Sequence, residues 1–113
     1  MSDCLFCSII AGEIPAPFAD HGDLVVLNDI NPQAPLHTLV IPKRHIASLN
    51  DLAPADDALV GLMFRVAASL AQEHGYGERG YRTVFNCNRD AGQTVFHIHL
   101  HVLAGRSLGW PPG

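Results

Sequence analysis

The chain has 113 residues, of which 48% are hydrophobic and 16% charged, and its formal net charge at pH 7 is −4. This size and composition fit one folded domain and exclude both a two-domain protein and intrinsic disorder. The Lys and Arg residues form no basic run, which argues against a nucleic-acid partner. No apolar stretch approaches the roughly 20 residues that span a bilayer, and residues 1–10 lack the features of a signal peptide. We therefore expect a cytoplasmic protein of one domain, residues 1–113, without membrane contact.

Two short elements are predicted near the amino terminus. A helix is expected to begin at a cap provided by Ser2 or Asp3 and to run through Ile10, because Gly12 follows as a typical stop. Residues 20–23 (DHGD) are then typical of a turn. These elements lead into the first predicted strand.

Four strands and one long helix make up the rest of the predicted fold. The helix begins at residue 51 or 54 and ends at residue 74, because apolar residues recur there with a 3.6-residue period. Residues 89–94 read as a turn-rich loop between the last two strands. Closely spaced strands around one long helix predict an α+β fold with a mostly antiparallel sheet. The predicted strands are residues 24–28, 36–41, 82–88 and 95–103.

Three of the seven histidines, His97, His99 and His101, alternate with apolar residues in the last predicted strand. Side chains of a strand alternate between faces, so the three imidazoles share one polar face, and packing alone gives no reason for them. A metal site is one interpretation, although residues 97 and 101 lie roughly 13 Å apart along a strand, too far to bind one ion together. Neutral imidazoles that act as nucleophile and proton donors fit the spacing better.

The amino-terminal cysteines form a second candidate site. Cys4 and Cys7 are spaced C-x-x-C, which in a reducing compartment indicates metal binding or redox chemistry rather than a structural disulfide. The third cysteine, Cys87, stands alone in an apolar segment and is interpreted as a small buried side chain.

Several further motifs accompany the histidines. The pattern H-x-H-x-H followed by an apolar residue occupies residues 97–102 (HIHLHV). The others are residues 29–35 (DINPQAP), His37, residues 40–43 (VIPK), residues 92–94 (GQT) and residues 110–113 (WPPG). Over nearly the whole chain, these motifs resemble the histidine triad (HIT) superfamily and, within it, the histidine triad nucleotide-binding proteins.

The resemblance implies a fold that agrees with the predicted elements. This is the HIT-like fold, an α+β fold with a mostly antiparallel five-stranded sheet, one long helix and a short amino-terminal helix. Residues 104–113 are expected to form an extended carboxyl-terminal tail of the single domain. A homodimer that pairs through the long helix and an edge strand is also implied.

For function, the resemblance implies hydrolysis of the P–N bond in purine nucleoside phosphoramidates, such as amides or lysine conjugates of a nucleoside monophosphate. His99 would attack the α-phosphorus and form a nucleotidyl-histidine intermediate, which water then hydrolyses without a catalytic cofactor. Two alternatives stay open: hydrolysis of dinucleoside polyphosphates by the same histidines, and nucleotide-dependent regulation with incidental catalysis. The residues assigned to catalysis are His37, Thr94, His97, His99 and His101.

The resemblance also assigns a nucleotide site and a zinc site. Asp29 matches the residue that binds the ribose hydroxyls, and the amides of residues 92–95 match the phosphate loop. The nucleotide-binding residues are Phe6, Ile9, Asn28, Asp29, Ile30, Leu39, Asn86, Gly92, Gln93, Thr94, Val95, His99, His101 and Trp110. A structural zinc ion would be bound by Cys4, Cys7, His45 and His97, and His97 would then orient its neighbours instead of acting as an acid or base.

Overall fold

The computed structural model describes residues 3–113, which form one sheet with helices packed on both of its faces. The strands are β1 (Ala19–His21), β2 (Leu24–Asn28), β3 (Leu36–Pro42), β4 (Tyr81–Val84) and β5 (Leu100–Ala104). The α-helices are α1 (Leu5–Ile10), α2 (Asp57–Glu73) and α3 (Asn88–Ala91). Two single 3₁₀ turns, Leu49–Asp51 and Pro54–Asp56, precede α2.

The sheet has the strand order β1-β2-β3-β5-β4, and each neighbouring pair is antiparallel. Its central strand, β3, is buried along its whole length. Val40 packs with Met63 of α2 on one face, whereas Leu39 and Ile41 pack with Phe6 of α1 on the other. This alternation follows from the two-residue period of a strand, so the central strands carry apolar residues toward both faces.

The predicted α+β fold with an antiparallel five-stranded sheet is confirmed. The strand predicted at residues 24–28 is β2 as observed, and the strand predicted at 36–41 extends one residue further to Pro42. The long helix is also present, although residues 51 and 54 lie in the two 3₁₀ turns and the helix itself begins at Asp57. His74 caps its carboxyl end instead of belonging to it.

The amino-terminal helix has a cap that the sequence reasoning missed. Cys4 is the N-cap residue, and its Sγ accepts a hydrogen bond from the Cys7 N–H at 3.5 Å. Asp3 is therefore not the cap, and Ser2 lies outside the described residues. The C-x-x-C spacing thus serves to begin the helix, because it puts the sulfur of Cys4 beside the N–H three residues later.

Elsewhere the predicted boundaries differ from the observed ones. Residues 20 and 21, predicted as part of a turn, belong to β1, and the turn is tighter, with Gly22 at a φ of 77°. The strand predicted at 82–88 spans Tyr81–Val84, and the predicted loop 89–94 includes most of α3. The strand predicted at 95–103 begins only at Leu100, which leaves His97 and His99 outside the regular sheet.

The buried side chain of Gln93 makes three hydrogen bonds shortly before β5 begins. Its Oε1 accepts from the Asn88 N–H at 2.8 Å, and its Nε2 donates to the carbonyl oxygens of Ala47 and Val95 at 2.8 and 3.2 Å. Within the predicted strand, the Val95 carbonyl is thus bonded to a side chain, and the Ile98 N–H donates to the Ile46 carbonyl at 2.8 Å, outside the β3–β5 pairing. The chain bends over residues 95–97 before it joins the sheet.

The segment after β5 crosses the start of β4. Residues 105–113 form neither helix nor strand, and Arg82 of β4 donates from Nη1 to the carbonyl oxygen of Gly109 at 2.9 Å. Among the helices of residues 3–113, none combines the length and the apolar character that crossing a membrane requires.

Candidate active site

Two central strands bring His37 and His101 together. In the register of β3 and β5, Leu39 lies opposite His101 and His37 lies opposite Leu103, so the two histidines are diagonal neighbours on one face. His37 Nε2 lies 2.9 Å from His101 Nδ1, and the ring of His99 lies 5.2 Å from that of His101. The carboxylate of Asp29, just after β2, lies 3.5 Å from His37 Nε2 and 3.9 Å from His101 Nδ1.

The hydrogen bonds of His37 and His101 determine which ring nitrogens carry protons. The Gln33 N–H donates to His37 Nδ1 at 3.0 Å, so this nitrogen is unprotonated and the proton of the neutral ring is on Nε2. His37 Nε2–H then donates to His101 Nδ1, which leaves the proton of neutral His101 on its own Nε2. A series of hydrogen bonds therefore runs from the Gln33 N–H through His37 to His101, and the Nε2–H of His101 is the free donor at its end.

His99 has the opposite arrangement. Its Nδ1–H donates to the backbone carbonyl of His97 at 2.8 Å, which leaves Nε2 with the lone pair of the neutral ring. Phe6 of α1 packs edge-on against the imidazole, with ring centroids 5.0 Å apart. A fixed imidazole with an unprotonated nitrogen has the form that a histidine nucleophile needs.

Burial keeps these imidazoles neutral. Burial lowers the pKa of His99, and it lowers the pKa of His101 to about 4, with smaller contributions from the charges of His99 and His37. The Asp29 carboxylate acts in the opposite direction on both, without cancelling the effect. At neutral pH His99 is therefore an available base and His101 a neutral N–H donor.

The side chain of His97 belongs to a second cluster. It is fully buried, and its Nδ1 lies 3.3 Å from Cys4 Sγ, 3.5 Å from Cys7 Sγ and 3.2 Å from His45 Nδ1. Cys7 Sγ lies 3.5 Å from His45 Nδ1. His97 thus shares its segment with His99 and His101, while its imidazole points to the cysteines and not to the other two rings.

The donor set of this second cluster fits a tetrahedral zinc ion. Bonds of about 2.0 Å to nitrogen and 2.3 Å to sulfur require N–N separations of about 3.3 Å and N–S separations of about 3.5 Å. The observed separations are 3.2 Å for N–N and 3.3 to 3.5 Å for N–S. His97 Nε2 donates to the Pro42 carbonyl at 2.6 Å, so its Nδ1 lone pair faces the cluster as a metal ligand requires.

Hydrogen bonds of the buried Gln93 side chain stabilise the shape of the predicted phosphate loop. Asn88 and Gly92 both have positive φ values, 65° and 86°, so the chain reverses sharply across α3. Gln93 is buried and Thr94 is exposed. The loop is joined to the histidine segment directly through residues 95–98.

The remaining residues of the predicted nucleotide site are spread over several environments. Phe6, Ile9 and Leu39 belong to the core on the α1 side of the sheet, and of these Phe6 contacts the imidazoles. Exposed side chains are those of Asn28, Ile30 and Trp110, whereas Asn86 and Val95 are partly buried. Within the described chain, the Trp110 ring makes no ring contact with the histidines.

Three backbone groups were missed by the sequence reasoning. The Gln33 N–H and the carbonyls of Pro42 and His97 fix the tautomers of His37, His97 and His99 in that order. Every residue has these groups, so residue types carry no direct signal for them. The indirect signal is that Gln33, Pro42 and His97 lie within the motifs 29–35, 40–43 and 97–102.

Known proteins match both the sequence and the fold. Residues 3–109 match the family described as scavenger mRNA decapping enzyme C-term binding. The purine nucleoside phosphoramidase of Escherichia coli strain K12 is 44% identical over 108 residues, which cover 95% of this chain and 91% of that protein. These matches extend over both histidine clusters.

Solved structures of similar proteins match this chain in fold as well as in sequence. A HIT family hydrolase from Legionella pneumophila Philadelphia 1 has a TM-score of 0.94 and 50% identity, covering 98% of this chain and 100% of that one. A zinc-bound histidine triad family protein from Mycobacterium smegmatis has a TM-score of 0.79 and 37% identity, covering 98% and 80%. Because sequence, fold and the paired histidine clusters agree, the chain belongs to the histidine triad (HIT) family.

Proposed function

We propose that the protein is a purine nucleoside phosphoramidase, a hydrolase that cleaves the P–N bond of adenosine or guanosine monophosphate amides. The observation that carries the proposal is the position of the unprotonated Nε2 of His99, fixed through His97, next to the N–H donor of His101. The name of the E. coli relative, with 44% identity, supports the substrate class.

In the first step, His99 Nε2 attacks the α-phosphorus, and a P–N bond to His99 forms as the substrate P–N bond breaks. The departing nitrogen needs one proton to leave as an amine. His101 donates its Nε2 proton to that nitrogen and takes a replacement proton from solvent at the same atom, so His101 is neutral before and after the step. The Nδ1–H of His99 stays on the His97 carbonyl, which stabilises the positive charge of the nucleotidyl-imidazolium.

In the second step, water attacks the phosphorus and releases His99. This water gives up one proton, which equals the proton taken up by the amine, so the net reaction is phosphoramidate plus water to nucleoside monophosphate plus amine. His37 holds His101 in the required tautomer throughout, because its own Nδ1 is occupied by the Gln33 N–H.

The other assigned residues take binding roles in this proposal. The amides of residues 92–95 and the hydroxyl of Thr94 hold the phosphate, and Asp29 binds the ribose hydroxyls. Phe6, Ile9, Asn28, Ile30, Leu39 and Asn86 surround the base, and Trp110 lies on the leaving-group side. Support for these roles comes from the proximity of Asp29 to His37 and of Phe6 to His99.

We also propose a structural zinc ion on Cys4, Cys7, His45 and His97. Zinc would supply a link between α1 and the sheet, and these residues bind it without taking part in the reaction. A cluster of thiols and imidazoles suits a reducing compartment, which supports a cytoplasmic location. The donor separations and the zinc-bound relative from M. smegmatis support the metal assignment.

A homodimer of the single domain, residues 1–113, completes the proposal. The strand β4 is at the edge of the sheet, and Tyr81, Leu62 and Phe64 are large apolar side chains that are 37%, 37% and 44% exposed. An open strand edge beside exposed apolar side chains of α2 is a surface suited to a second copy.

The covalent intermediate provides the test. A nucleoside phosphoramidate that is isotopically chiral at phosphorus is expected to react with retention of configuration, because two successive displacements each invert it. Mass spectrometry of protein quenched at alkaline pH is expected to find the nucleotide on His99. The variant His21→Ala, an exposed histidine outside both clusters, serves as the matched control. Inversion at phosphorus, or a nucleotide on another residue, would contradict the mechanism, and faster turnover of a dinucleoside polyphosphate would contradict the substrate class.

A further inference from the structure

A separate cavity of about 340 Å³ lies at the other end of the β4–β5 pair from the histidines. Tyr81 is paired with Ala104, so the residues two positions beyond each, Arg79 and Arg106, lie across from one another where the pairing ends. Arg82 joins them in the wall of the cavity. Three arginine residues therefore line one cavity outside the catalytic cluster.

The three arginines are bonded only to uncharged groups. Arg82 donates to the Gly109 carbonyl, and Arg106 donates from Nε to Gln33 O at 2.8 Å and from Nη1 to Ser107 O at 3.0 Å. Arg79 lies over the ring of Tyr76, at 6.0 Å from its centroid. Within residues 3–113, no carboxylate lies within 4.0 Å of any of these three guanidiniums.

Among residues 3–113, three of the other four Lys and Arg side chains have acidic partners, and Arg65 is the exception. Lys43 pairs with Asp20, Arg44 with Asp56 and Arg89 with Asp90. The protein has a formal net charge of −4 and only seven Lys and Arg residues. Three of these seven line one cavity, and among residues 3–113 no carboxylate pairs with them. Bringing like charges together costs free energy, which a bound anion would offset.

We propose that this cavity binds a small phosphate-bearing anion through Arg79, Arg82 and Arg106. A guanidinium binds two phosphate oxygens at once in a bidentate fork. A phosphate with a charge of −2 also complements three such groups better than a single carboxylate would. The carbonyl contacts of Arg82 and Arg106 pre-orient their planes and leave further N–H groups for a ligand. None of the lining residues belongs to the histidine cluster, although Tyr81 and Arg82 also lie at the sheet edge proposed for the dimer.

Titration of the ¹⁵N-labelled protein with inorganic phosphate, in buffer free of other phosphates, tests the site. The amide signals of Gly80, Gly105 and Ser107 are expected to shift with a single saturable dissociation constant. Phenyl phosphate distinguishes a phosphate monoester from the free ion, and glutarate provides a dicarboxylate of the same charge. Phosphate shifts confined to residues 92–95, or glutarate binding as tight as phosphate, would overturn the proposal.

A matched pair of variants separates this cavity from general electrostatic attraction. Arg79→Gln removes a guanidinium whose one described contact is the Tyr76 ring, and it is expected to weaken phosphate binding roughly tenfold. Lys43→Gln removes the same unit charge from a cation that is paired with Asp20 elsewhere, and it is expected to leave the dissociation constant unchanged. Equal weakening in both variants would mean that only the net charge matters and would overturn the site. The wild-type shift pattern tests the proposal even if Arg79→Gln fails to fold.

Discussion

The protein builds two different sites from neighbouring histidines of one segment. The imidazole of His97 lies with Cys4, Cys7 and His45, whereas those of His99 and His101 lie with His37 and Asp29. Both sites are partly buried, and burial lowers the pKa of His97 as well as that of His99. Burial alone therefore does not separate a metal ligand from a nucleophile.

The two sites differ in which nitrogen the backbone occupies. A carbonyl of Pro42 bonds to Nε2 of His97, so the lone pair on Nδ1 faces the thiols. A carbonyl of His97 bonds to Nδ1 of His99, so the lone pair on Nε2 is available to the substrate. Which ring nitrogen donates to a backbone carbonyl thus decides whether the other nitrogen of that histidine is suited to bind a metal or to attack phosphorus.

Removal of the nucleophile is expected to have the largest effect. His99→Ala should lower kcat on the order of 10⁶-fold, as loss of the nucleophile does in other covalent hydrolases, while the remaining contacts keep the affinity for nucleoside monophosphate. Steady-state kinetics and calorimetric titration with the product measure the two quantities. Turnover close to that of the wild type would exclude covalent catalysis by His99.

The proton donor is expected to matter less than the nucleophile. His101→Ala should slow the reaction by about 10²- to 10⁴-fold, the usual contribution of one positioned general acid. Substrates with acidic leaving groups need less protonation, so their rates should fall less than those of simple amines. A variant that loses equally on both kinds of substrate would show that His101 does not protonate the leaving group.

The metal cluster is expected to govern stability rather than chemistry. Cys4→Ser removes one proposed zinc ligand and should lower the melting temperature by roughly 10 °C or more, together with the bound zinc. Cys87→Ser is the matched control, because Cys87 is half-buried, less than the sequence suggested, and lies outside the cluster. Metal analysis and thermal unfolding with and without a chelator measure both effects, and equal losses in the two variants would refute the assignment.

Acid should destabilise the catalytic cluster in a measurable pH window. Burial lowers the pKa of His101 to about 4 from its usual 6.5, so the unfolded chain binds a proton first as the pH falls. The contribution of this group is complete above pH 6.5 and is lost between pH 6.5 and 4. Between pH 7 and 5, the free energy of unfolding should therefore fall less for His101→Asn than for the wild type. The difference between the two decreases should be on the order of 1 kcal/mol. Parallel curves for the two proteins in denaturant titrations would refute this.

Much of the fold could be predicted because the buried elements carry strong patterns. The continuous apolar run of β2 reflects burial of both its faces, and the 3.6-residue period of α2 reflects burial of one face. Both elements were found close to their true bounds. β1 could not be found from its residues, since Ala19, Asp20 and His21 are all exposed at the edge of the sheet. This strand has no buried face and hence no apolar pattern, whereas β4 at the other edge is partly buried and was predicted.

The sequence predicted which residues lie together at the candidate site, but it did not predict how they are arranged. Residue types and motifs indicated His37, His99 and His101 and the four residues of the Cys4–His97 cluster. The predicted strand, however, placed all three clustered histidines on one regular face. The Val95 carbonyl accepts from Gln93 and the Ile98 N–H donates to the Ile46 carbonyl. The chain bends over residues 95–97, and the imidazole of His97 lies apart from the other two. A single glutamine side chain carries no periodic signal that could have revealed this.

The smallest effect is expected from a residue outside both clusters. Trp110 is 82% exposed in the tail, and the Gly109 carbonyl beside it is held by Arg82 at the sheet edge proposed for dimer contact. An aromatic ring between a glycine and two prolines loses little conformational freedom on docking, so it suits a contact with the partner's leaving-group pocket. Trp110→Ala should change KM for bulky amine leaving groups severalfold and leave kcat for small ones unaltered. Phe18→Ala, next to the opposite sheet edge, is the control. If both variants show the same kinetics over a series of leaving groups, the two clusters suffice for substrate choice and the tail has no part in it.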